Sequence, residues 1–63
     1  MKLREWRKRE GKTTVWLAEQ SGTTNATISR IERGLQSPKI PLARRLEAVT
    51  GIPASLLVMG EAA

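Results

Sequence analysis

Ala18, Gly22 and Ile28 stand at offsets of four and ten within "LAEQSGTTNATISRIERG", Leu17 to Gly34, and this triplet constrains the fold more than any other feature. Two helices joined by about three or four residues must cross steeply, which brings their backbones close together. Close approach needs a small side chain on the first helix, and Ala18 supplies it. A sharp bend needs a positive φ, which glycine adopts at little cost and Gly22 provides. The second helix must then bury an aliphatic wedge against the first, and Ile28 followed by Ile31 meets that demand. Three separate steric requirements are met at one spacing.

Glycine and proline punctuate the rest of the chain at Gly11, Gly22, Gly34, Pro38, Pro41, Gly51 and Pro53, and the segments between them are of helical length. β-branched alternation is absent and there is no Tyr or Phe, so strands have little support. The spacing predicts a first helix over Lys2 to Glu10, with Leu3, Trp6 and Arg7 on one side. Thr13 is placed to cap a second helix, Thr14 to Ser21, which presents Leu17, Ala18 and Ser21 on one face and closes at Gly22. Thr24 caps a third, Asn25 to Arg33, along which Ile28, Ile31 and Leu35 recur. Pro41 suits the opening of a fourth, Leu42 to Thr50, with Ala43, Leu46 and Val49 inward. Pro53 starts a last turn or two through Leu57, and residues 58–63 form a tail. The expectation is a single all-α domain over residues 1–63, a compact bundle of five helices.

Composition narrows the chemistry. Cysteine and histidine are both absent, which removes disulfides, the usual zinc ligand sets and histidine acid–base catalysis. Six carboxylates are scattered among eleven basic residues and none pairs beside a nucleophile. No enzyme, metal or cofactor is expected. The basic N-terminus lacks the apolar core of a signal peptide, and no run of about 18 apolar residues offers a membrane span. No membrane association and a cytoplasmic location are therefore expected. The net charge of +5 suits either a solvated surface or a polyanionic partner, and charge alone does not choose between them.

The stretch "TTVWLAEQSGTTNATISRIERGLQSPK" resembles the helix-turn-helix of the XRE/Cro family, the lambda-type phage repressors and their small bacterial relatives. The resemblance runs from Leu3 to about Leu57. Its most specific parts are "LAE" at 17–19, "TISRIERG" at 27–34, "SP" at 37–38 and "LEAVTGIP…LL" at 46–57. It implies a five-helix lambda-repressor-like DNA-binding domain with a central helix-turn-helix at about 14–33. The third helix of such a domain enters the major groove. It further implies a homodimer on a near-palindromic operator of double-stranded DNA, usually with repression, in a bacterial or phage-infected cell.

With Ile28 and Ile31 inward, residues 25, 26, 29, 30 and 33 face outward or sideways. The opening turn of the third helix, Asn25 and Ala26 with Thr24 and Thr27 flanking, is the end that meets base edges. Asparagine can pair with adenine through two hydrogen bonds, and the Ala26 and Thr27 methyls can touch thymine methyls. Arg30 is long enough for a guanine or a phosphate. The family's base-reading positions map onto Thr24, Asn25, Ala26 and Arg30. Thr13 and Thr14 can offer hydroxyls and amides to a phosphate at a helix N-terminus. Here the chain departs from its family, which usually carries glutamine where Thr14 stands, and the shorter side chain weakens that support. Arg33, Gln36 and Lys39 lie where relatives touch phosphates or the minor groove. The remaining charges of the first helix, Arg4 among them, read as a solvated face.

Relatives join the positions of Arg7 and Glu32 in a partly buried ion pair, and the same is expected here. Trp6 belongs to the core stripe. Trp16 stands where relatives carry polar residues, and two readings stay open: it folds over a neighbouring helix, or it marks a protein contact. Leu57, Val58 and Met59 are the candidates for a two-fold dimer contact. The function expected is a Cro-like repressor acting by occupying its operator. The alternatives are an antitoxin or co-regulator that recruits a partner protein, and a protein–protein adaptor that retains the fold.

Overall fold

The computed structural model describes residues 3–58, in which five α-helices and no strands are found. They are α1 (Leu3–Arg9), α2 (Thr14–Ser21), α3 (Asn25–Glu32), α4 (Ile40–Thr50) and α5 (Ala54–Val58). Each end has a local chemical cause. Thr13, in extended conformation, caps α2 by accepting a hydrogen bond from the Trp16 amide at 3.0 Å. Thr24 does the same for α3 through the Thr27 amide at 3.2 Å. Pro41 sits in the first turn of α4, where its missing N–H costs nothing, and the helix begins at Ile40, two residues earlier than its spacing suggests.

Gly22 ends α2 with φ +70°. Its amide bonds the Glu19 carbonyl and the next amide, Thr23, reaches back to Ala18 at 2.9 Å, so two terminal carbonyls are satisfied within the turn. A Cβ at Gly22 would lie 3.6 Å from Arg45 Nε, an ordinary contact. Gly22→Ala therefore suffers backbone strain rather than a clash, and is expected to lose about 1–2 kcal/mol, measured by urea unfolding.

The core gathers Leu3, Trp6, Leu17, Ala18, Ile28, Ile31, Ala43, Leu46, Ile52 and Leu57. Helix α2 packs on α3 and α4, and α5 closes against α4. Ser21 is fully buried and satisfies itself by donating to the Leu17 carbonyl at 2.7 Å. Two bonds between distant parts of the chain fix the C-terminal half. Arg45 Nε donates to the Ser21 carbonyl at 2.7 Å, capping the end of α2 from α4. Glu47 Oε1 accepts from the Ala54 amide at 3.0 Å, capping α5 from α4.

Two sequence expectations are corrected. Leu35 does not continue the Ile28–Ile31 stripe. Helix α3 stops at Glu32, Gly34 turns the chain with φ 74°, and Leu35 is left 66% exposed. Leu57 does not offer a two-fold contact. Only 1% of it is exposed, because α5 turns it inward with Ile52 to close the core. Val58 is exposed, and Met59 lies outside the described residues.

Candidate nucleic-acid interface

Helix α3 is held from behind and free in front. Ile28 and Ile31 are buried against α2, while Asn25, Ala26, Arg30 and Arg33 are exposed. The hydroxyls of Thr24 and Thr27 stand 2.9 Å apart and are hydrogen-bonded to each other. Together with the Thr24 cap, this pair stiffens the first turn and leaves Asn25 and Ala26 at its tip. Thr24 is exposed and Thr27 half-buried. On α2, Thr13 is exposed and Thr14 half-buried. Gln36 and Lys39 are exposed in the loop that follows α3.

The structure brings Arg7 and Glu32 together. Arg7 Nε lies 2.7 Å from Glu32 Oε2 and Nη2 lies 3.0 Å from Oε1, a two-pronged pair between α1 and α3. The third prong, Nη1, donates to the Lys12 carbonyl at 3.1 Å and ties in the α1–α2 loop. The side chains are 16% and 6% exposed. Hydrogen bonding to Glu32 raises the Arg7 pKa, against the lowering effect of burial. A cation whose folded pKa is raised contributes stability that is complete below its ordinary value. That contribution is lost only as pH climbs through the raised one, far above neutrality.

Between α1, the start of α2 and the outer side of α3 lies a cleft of about 360 Å³ lined by Arg4, Arg7, Thr14, Ser29, Glu32 and Arg33. Arg4 and Ser29 have no distinguishing signal in the sequence, since their meeting depends on how α1 docks on α3.

Trp16 is half-buried and its ring is engaged within the domain. It stacks on Trp6 with centroids 6.4 Å apart and planes inclined by 23°. Lys12 Nζ sits 4.7 Å from its centroid, a cation–π contact. Folding over a neighbouring helix is the reading this geometry supports. The described residues hold no cluster of potential metal ligands and no helix long and apolar enough to cross a membrane.

Two packed helices joined by a tight turn at Gly22, each capped at its N-terminus, with the tip of the second exposed, define a helix-turn-helix domain. A family model described as helix-turn-helix matches residues 3–57, and the chain belongs to that family, of the XRE type. It is 43% identical over 49 residues to an uncharacterized HTH-type transcriptional regulator of Methanothermobacter thermautotrophicus, which covers 78% of this chain and 71% of that protein. No solved structure gives a significant match.

Proposed function

We propose that the chain is a sequence-specific transcriptional regulator, a Cro-like repressor that binds a near-palindromic DNA operator as a homodimer. One observation carries this reading. Asn25, Ala26 and Arg30 project from a capped helix tip whose opposite side is locked into the core. Such a tip fits the major groove, where each base pair presents a distinct donor and acceptor pattern. The excess of cations suits the phosphate backbone. The similarity to an HTH-type transcriptional regulator points the same way. Leu56 and Val58, exposed on α5, offer apolar surface for a two-fold contact. Binding would act by occupying the operator and excluding polymerase. An adaptor that touches only protein would have no need of exposed arginines, Arg30 on the helix that presents Asn25 and Arg33 at its C-terminal cap, which favours DNA.

The test is selection from a random duplex pool. Enrichment of a short, near-palindromic site is expected, with half-sites about 10 base pairs apart centre to centre. Asn25→Ala should then relax discrimination at one position per half-site by about 1–3 kcal/mol. Lys39→Ala should weaken all sequences alike and flatten the salt dependence. A pool that emerges unenriched sinks the reading.

A further inference from the structure

We propose that Leu35 is a positioning residue for Arg30: its side chain lies along the Arg30 stem and holds the guanidinium on the outward face of α3, ready for the duplex. The role of Arg30 on DNA comes from the reading above, on which this inference rests, and Leu35 is new to it.

The backbone sets the two residues side by side. Helix α3 ends in a pair of backward bonds, from the Leu35 amide to the Arg30 carbonyl at 2.9 Å and from the Gly34 amide to the Ile31 carbonyl at 3.1 Å. In a helix ending closed by such a pair, the residue after the glycine frequently packs its side chain on the residue whose carbonyl its amide bonds. Here that residue is Arg30. The residue before it, Ser29, offers no comparable apolar surface. Leu35 is 66% exposed, so the core does not hold it. What it can cover is the methylene stem of the arginine, which packs on apolar surface while the charged head stays in water.

The same ending closes α1, and there the direction of the arginine is on view. The Lys12 amide bonds the Arg7 carbonyl at 2.9 Å and the Gly11 amide bonds the Lys8 carbonyl at 3.2 Å. Arg7 thus holds the place in α1 that Arg30 holds in α3, and its Nη1 donates to the Lys12 carbonyl at 3.1 Å. An arginine at this place turns toward the residue after the glycine. The two differ at the head group. Glu32 engages Nε and Nη2 of Arg7. Arg30 is exposed, with no ion pair or side-chain hydrogen bond among the described residues. Arg7 is therefore occupied inside the fold, whereas Arg30 is held by its stem and keeps its N–H donors for a partner. A side chain ordered in advance loses less freedom on binding, which is worth roughly twofold to tenfold in affinity.

On the duplex selected from the random pool, Leu35→Ala is expected to lose about fivefold in affinity. Leu35→Met keeps apolar surface on the stem and should recover most of that loss. Arg30→Ala should lose about tenfold or more. In the Arg30→Ala background, Leu35→Ala should lose less than about twofold further, the margin within which independent sites add. Ile40→Ala, at the exposed aliphatic that follows the loop, is the control and should leave both affinities unchanged. Melting temperatures should move by no more than about 4 °C, as for surface positions. In the free protein, nuclear relaxation of the Arg30 Nε–H should report more motion in Leu35→Ala than in the wild type, a readout that needs no DNA. Equal motion in the two proteins would overturn the contact itself. An affinity untouched by Leu35→Ala, or a fivefold loss that persists in the Arg30→Ala background, would overturn the positioning role; the second result would give Leu35 a contact of its own. A duplex selected by the wild type yet indifferent to Arg30→Ala would overturn it as well. Failure of the wild type to select any duplex would instead refute the DNA reading and remove the task of the pair, while the relaxation measurement alone decides whether Leu35 holds Arg30.

Discussion

Glu32→Ala is expected to lower the unfolding free energy by about 3–5 kcal/mol. The cost arises less from the missing attraction than from the cation left behind. Arg7 is 16% exposed, and without Glu32 its Nε and Nη2 stay confined with no acceptor. A domain of 63 residues has a total margin of only about 3–9 kcal/mol, so the variant should be largely unfolded near body temperature. Replacing both partners, Arg7→Met with Glu32→Leu, removes the stranded charge and should recover most of that loss, because buried pairs contribute little net stability over apolar residues of similar size. The pair then shows its other role. It sets how α1 lies on α3, so the doubly apolar protein is expected to be stable yet weaker on DNA. Urea unfolding of Arg7→Met, of Glu32→Leu and of the protein carrying both closes a thermodynamic cycle that isolates the coupling. A loss below about 1 kcal/mol for Glu32→Ala would place the pair with ordinary surface salt bridges.

Features written in a few consecutive residues are legible without coordinates. The Thr13 and Thr24 caps, the bend at Gly22 and the inward faces of α2 and α3 follow from local sterics and hydrogen bonding. Those are determined within one or two turns of chain. The Arg7–Glu32 pair spans 25 residues and no local spacing announces it; only the resemblance to relatives does. Arg45 on Ser21 and Glu47 on the Ala54 amide escape a reading of the sequence for the same reason. Leu35 shows the limit of periodicity. A repeat of three and four residues says which positions share a face, but Gly34, legible as the end of the helix, turns the chain before Leu35 and carries it off that face. Trp16 cannot be placed from the sequence because its partner, Trp6, is on another helix whose docking angle depends on the whole core. The cleft around Arg4 and Ser29 is hidden likewise, since it exists only where three helices meet.

Leu57→Ala is the second large effect, with an expected loss of about 2–5 kcal/mol for emptying a fully buried leucine site. Its neighbours give the contrast that makes the measurement informative. Leu57 is 1% exposed, whereas Leu56 is 46% and Val58 39% exposed on the same short helix. Helix α5 has only five residues, so it holds its place by packing rather than by its own propensity. Taking away its one buried anchor should release it from α4 and uncover Leu46 and Ile52. In a domain this small each kcal/mol lowers the melting temperature by about 4–8 °C. Leu57→Ala should therefore melt at least about 10 °C lower, by an amount independent of protein concentration, because the leucine packs wholly within one chain. Val58→Ser changes a surface position and should shift monomer stability by no more than about 0.5 kcal/mol. If Val58 contributes to a two-fold contact, its effect appears instead as a dissociation constant for self-association raised in sedimentation equilibrium. A melting shift for Leu57→Ala that shrinks on dilution would return Leu57 to the surface between two chains and place the closing of the core elsewhere.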